Sequence, residues 1–343
     1  MNFKQSALAA AVTAAVALGA AGPASAYVYG TSGLTISGLT VVINGVAVTV
    51  NRFDFNQSDL ATLNGLTSAS SATCGGTVAS NNCTQTIGSM DAAAVNAPGS
   101  VPTRINNQTT GGEFTFLGAL PGGTTGNFSN ADSQIVTAEL VNLGSPTLTH
   151  NIAESLLTSG TSAAANSQIQ SITGFSITFV VSEPGTLLLD FDADPDLIAA
   201  IFGEPAGTYS SQANLNTSFT LQQNNGAGFA NWTPNGTATN DCLFGGGVTC
   251  VERADSQDLN INVGTTLNNT QETSSWDPNA LNLTHFGITV SGLTVGTWTL
   301  TLNEQKSDQL ARTAAVVPEP GVLALMGLGL VGLFATSRRR KLS

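Results

Sequence analysis

The chain has 343 residues, a formal net charge of −12 and only 9% charged residues, so it is long enough to bury a sizeable core without metals or disulfides. Five of its ten Lys and Arg residues (Lys4, Arg338, Arg339, Arg340 and Lys341) lie near the termini, leaving five basic against 21 acidic side chains over residues 27–317. That balance repels a phosphate backbone and argues against nucleic acid as a partner.

At the start, Lys4 precedes an apolar run over residues 7–21, followed by Pro23 and Ala24-Ser25-Ala26. A basic start, an apolar helix and a small-x-small site make residues 1–26 a secretory signal peptide, with cleavage expected between Ala26 and Tyr27. Residues 33–50 are rich in β-branched side chains around Asn44-Gly45, which predicts an N-terminal hairpin.

Residues 67–110 and 224–247 are Gly/Asn/Ser-rich and read as long loops, each associated with one cysteine pair, Cys74 with Cys83 in the first and, at the second, Cys242 with Cys250, which lies just past its end. In an oxidising compartment the simplest arrangement is two local disulfides restraining those loops. Three connectivities exist for four cysteines, and zinc is the rival reading, although neither pair has the short gap of a zinc knuckle.

Residues 152–157 and 195–202 read as short helical turns, the second capped by Asp194 or Asp196. His150, just before the first, and Glu154 within it stand at i and i+4, the spacing that bridges one helical turn. Residues 168–181 and 216–222 alternate polar and apolar side chains as half-buried strands do, and residues 186–191 follow the turn Glu183-Pro184-Gly185 as a further strand. Residues 285–302 share their composition with the N-terminal hairpin and repeat its Ser-Gly-Leu-Thr-Val. The expected fold is all-β, a single antiparallel β-sandwich or jelly-roll-like domain over residues 27–315 with long loops.

Asp190, Asp192 and Asp194, with Asp196, recur at every second position and so stand on one side of an extended segment. Like charges at that spacing repel, and calcium, which takes six to eight oxygens, is the fitting cation; Glu204 is a further candidate ligand. The EF-hand pattern is absent, with Pro195 at the sixth position and Ile201 at the twelfth. A solvated strand edge protected by charge needs no cofactor at all. Trp232 and Trp276, in polar loops, are candidate platforms for a sugar face, whereas Trp298 lies in a strand and belongs to the core. There is no G-x-S-x-G elbow and no H-E-x-x-H helix, so no catalytic residues are assigned and the expectation is a non-enzyme.

The C-terminal end reads Val317-Pro318-Glu319-Pro320, an apolar stretch over residues 321–335, and then Arg338-Arg339-Arg340-Lys341. A helix of about 16 residues rises roughly 24 Å, a marginal membrane span helped by snorkelling basic side chains. The basic cluster stays cytoplasmic and leaves the domain outside.

This order of motif, helix and basic stop over residues 316–341 resembles the PEP-CTERM sorting signal, with Pro318, Glu319 and Pro320 as its tripeptide. The resemblance implies processing by an exosortase and transient residence in the inner membrane. It also implies delivery to the extracellular space or outer surface, among exopolysaccharide and matrix proteins. The function expected is therefore a structural or biofilm-matrix protein, with a carbohydrate-binding module and a secreted hydrolase as alternatives.

Overall fold

The computed structural model describes residues 26–77, 90–96, 126–135, 147–158, 162–170, 175–203, 207–237, 239–277 and 281–314. The signal segment before Ala26, the sorting tail, Cys83 and Glu204 lie outside the described residues.

In chain order the strands are β1 (Tyr27–Ile43), β2 (Val46–Ala47), β3 (Val50–Leu63), β4 (Leu66–Thr77), β5 (Met90–Asn96) and β6 (Phe128–Ile135). Next come β7 (Thr147–Thr158), β8 (Ala163–Gln170), β9 (Phe175–Val181), β10 (Gly185–Phe202), β11 (Gly207–Gln223) and β12 (Phe229–Trp232). The last six are β13 (Leu243–Gly245), β14 (Thr249–Asp255), β15 (Asn262–Thr265), β16 (Thr270–Ser274), β17 (Thr284–Leu293) and β18 (Gly296–Ala314). Among the described residues there is no helix.

Two nine-stranded antiparallel sheets result. The first runs β14-β17-β10-β1-β7-β6-β5, with β16 paired to β10 and β2 to β1. The second runs β13-β12-β11-β18-β8-β3-β4, with β15 on β11 and β9 joining β18 to β3. The largest hydrophobic cluster draws Leu34, Phe191 and Phe286 from the first sheet and Phe53, Phe219 and Trp298 from the second. Hydroxyls tie the sheets together: Ser32 Oγ donates to the Asn214 carbonyl at 2.7 Å, Ser129 Oγ to Asn166 at 2.7 Å and Ser211 Oγ to Tyr29 at 2.6 Å.

Local chemistry explains much of this. β11 alternates between buried and more exposed residues along most of its length, as a half-buried strand must. Asn44 and Gly45 both adopt positive φ, closing a two-residue turn in which Ile43 pairs Val46. The two Ser-Gly-Leu-Thr-Val stretches coincide with irregularities in pairing: Gly38 and Gly292 take positive φ where the registers of β1 and of β17 shift. These are bulges, the conformation for which glycine is suited.

The sequence expectations need correction at several places. Residues 152–157 lie in β7 and residues 195–202 in β10, so neither is a helical turn. Both segments are buried on both faces, so their apolar residues do not alternate with polar ones at the period of two that marks a half-buried strand. Pro195 is accommodated within β10 because pairing with β17 ends at Ala193 and pairing with β16 begins at Leu197. Its missing N–H therefore deprives no neighbour. Residues 168–181 form two strands, β8 and β9, rather than one. Residues 67–77 are not loop but β4, where Cys74 is in register with Phe55, and residues 224–247 contain β12 and β13.

Candidate cation site

The aspartate ladder of β10 does not stand unaccompanied. Asp190 Oδ1 accepts a hydrogen bond from Arg253 Nη2 and lies 3.4 Å from His285 Nε2. Asp192 Oδ1 is 3.0 Å from His285 Nδ1. Asp194 accepts the backbone N–H of Asn282 at 2.7 Å, and Asp196 that of Asp277 at 2.9 Å. The latter two thus hold the connection between β16 and β17 against β10. Burial pushes the Asp194 carboxyl up, the Asn282 N–H pulls it back, and Asp277 raises it again. Donors from the protein relieve the repulsion that pointed to an ion there. His285, near the start of β17, is the side chain that bridges Asp190 and Asp192.

A different acidic group gathers beside β14. Carboxylate oxygens of Asp241, Glu252 and Asp255 all lie within 4.8 Å of one another. Several contacts place them. Cys242 and Cys250 form a disulfide with their Cα atoms 5.8 Å apart. Asn240 straddles β14, its Oδ1 accepting the Glu252 N–H and its Nδ2 donating to the Cys250 carbonyl, both at 3.0 Å. Asp255 Oδ2 accepts the N–H groups of Asn235 and Gly236, each at 2.8 Å, and Asp241 N–H reaches Glu252 Oε2 at 3.3 Å. Asn260 fastens the following loop through Nδ2 to the carbonyls of Thr217 and Pro234.

The electrostatics follow from this crowding. Desolvation, with Asp255 nearby, raises Glu252 to about 7, against the downward pull of the Asp241 N–H and a longer approach of the Trp232 indole. Asp255 is likewise raised by burial and lowered by its two backbone donors. Asp241 Oδ2 and Asp255 Oδ1 are buried without a hydrogen-bond partner, as is Trp232 Nε1. The group therefore retains a proton near neutral pH, and it is the place where described residues could exchange that proton for a hard cation. Glu252 and Asp255 stand three apart on a strand, across the register irregularity between Glu252 and Ala254, which is why no motif announced them.

Of the proposed sugar platforms, Trp232 is at 0% exposure and packs against Phe191 and Phe219, with ring centroids 5.9 and 5.5 Å away. It has no face left for a ligand. Trp276 is half-buried against Tyr29, edge to face at 6.5 Å. Trp298 is fully buried, its Nε1 donating to the Thr294 carbonyl at 3.0 Å.

One comparison bears on the chain's destination. Residues 316–340 match the family model of the PEP-CTERM protein-sorting motif. The chain carries a PEP-CTERM sorting domain. A PEP-CTERM protein is an exosortase substrate exported through the membrane to the cell surface, so β18, ending at Ala314, leads directly into the segment that determines where the chain goes. Comparison with curated proteins and with solved structures found no match.

Proposed function

We propose that this PEP-CTERM protein is a non-enzymatic structural component of the outer surface or its exopolysaccharide matrix. Its two sheets would form a sandwich held outside the cell, with exosortase processing near Pro318-Glu319-Pro320. The observation that carries the reading is the sorting motif placed immediately after β18, on a body whose strands run up to 19 residues and whose sheets share one large core. The test is terminal sequencing and intact mass of protein recovered from outside its host, with and without exosortase. Ends at Tyr27 and near Pro318, with the tail retained when the enzyme is missing, support the reading. A C-terminus still at Ser343 in the normal host overturns it.

A second reading concerns calcium. It favours Asp241, Glu252 and Asp255 over the β10 ladder, because two of their carboxylate oxygens are buried without a hydrogen-bond partner. Three carboxylates supply fewer than the six to eight oxygens of calcium, and water completes the shell. Calcium raises the melting temperature of the chelator-treated protein in this reading, and Glu252→Gln removes that increase. Equal melting temperatures with calcium and with chelator sink it.

A further inference from the structure

The inner face of β18 changes character along its length. Its buried positions run Trp298, Leu300 and Leu302, then Glu304, Lys306, Asp308, Leu310 and Arg312. Lys306 is at 0% exposure. Its Nζ lies 2.7 Å from Glu304 Oε2. The same oxygen accepts Asn151 Nδ2 at 2.5 Å, from β7 in the opposite sheet. The other end of that carboxamide is also held, since Gln57 Nε2 of β3 donates to Asn151 Oδ1 at 2.9 Å. Glu304 Oε1 is buried with no partner.

One carboxylate oxygen thus holds an amine and a carboxamide nitrogen side by side, while a separate donor polarises the carboxamide's carbonyl. An ion pair needs neither Asn151 nor Gln57. We propose that Lys306 Nζ and Asn151 Cγ join in an intramolecular isopeptide bond across the two sheets, with Glu304 carrying the protons.

The chemistry balances without an oxidant or cofactor. Lys306 passes a proton to Glu304 and attacks Asn151 Cγ as a neutral amine. Burial lowers the pKa of the amine and favours the neutral form, although Glu304 and Asp59 oppose the shift. Negative charge developing on Asn151 Oδ1 is met by the Gln57 N–H. Glu304 then gives its proton to Nδ2 and takes one from the attacking nitrogen. The Cγ–Nδ2 bond breaks as the Cγ–Nζ bond persists, and ammonia leaves. The products are a secondary amide and one ammonia, and the proton brought by the Lys306 ammonium, left on Glu304, departs with the ammonia as ammonium and restores the carboxylate. Folding supplies the proximity, since the reacting groups come from strands 155 positions apart in sequence.

The experiment is intact mass of the purified full-length protein after disulfide reduction, followed by proteolysis and peptide mapping. The expected result is a chain lighter by one ammonia than its sequenced termini require, with one branched peptide containing Asn151 and Lys306. Lys306→Arg and the near-isosteric Glu304→Gln should each return the full mass. The wild-type measurement does not depend on whether those variants fold. A wild-type chain of full mass overturns the proposal. So does an ammonia loss mapped elsewhere, such as a succinimide at an Asn-Gly step.

Discussion

Asp308→Asn tests how the charged stripe between the sheets affects stability. Asp308 is wholly buried; its Oδ1 accepts the Ser167 N–H at 2.8 Å and the Ser167 hydroxyl, while Oδ2 has no partner. Burial raises its pKa from 3.8 to about 7, outweighing Ser167 and the nearby Ser155 hydroxyl, which lower it. Between those values the folded chain holds a proton that the unfolded chain has released. Stability therefore falls as pH rises through this window, at a slope of about 1.4 kcal/mol per pH unit and by up to about 4 kcal/mol. Above pH 7 this contribution is flat, and below about pH 4 it is fully present. Asn preserves the acceptor and removes the titration. Urea unfolding at pH 5, 6, 7 and 8 should show the wild type losing stability more steeply than Asp308→Asn, with the variant the more stable at pH 8. Parallel profiles would refute the argument.

Three further outcomes are expected. Replacing Cys242 and Cys250 by Ala, which opens a loop with a sequence separation of 8, should cost about 2.5 kcal/mol in urea unfolding. Phe191→Ala removes the ring that stacks on Phe286 at 5.1 Å and meets Phe219 at 4.8 Å, and should cost about 3–5 kcal/mol by the same measurement. At Gly246, where φ is +66° and an added Cβ would fall 1.8 Å from the Ala227 carbonyl oxygen, substitution by Ala should lower stability by more than about 1 kcal/mol, with thermal unfolding as the readout.

The sequence was informative where polarity alternates or a turn has its own chemistry. The strands within residues 175–181 and 216–222, the Asn44-Gly45 turn, the Cys242–Cys250 disulfide and the core position of Trp298 could be anticipated for that reason. The segments of β7 and β10 read as helical turns were misread because a strand buried on both faces loses its period of two. Trp232 was misread because its polar neighbours suggested a loop, although β12 turns the indole into the core. The stripe from Glu304 to Asp308 gave no signal, since its outward neighbours Asn303, Gln305 and Ser307 are also polar. Polar beside polar carries no visible alternation, and only the opposite sheet shows which side is buried. The triad at β14 required the chain to fold residues 241 and 252 together.

The placement of the two terminal strands has a mechanical consequence. β1 lies between β10 and β7, and β18 between β11 on one side and β8 and β9 on the other. Each end of the described body therefore begins in the interior of a sheet rather than at its rim. Along β18 and β11, 17 residue pairs are in register, from Gly207 with Ala314 to Gln223 with Trp298. A load applied through the C-terminal segment pulls β18 lengthwise, so that hydrogen bonds on both of its sides are strained together instead of opening one after another. A tether joined to a rim strand would peel it away at low force. The position of β18 instead lets the body resist such a load as a unit.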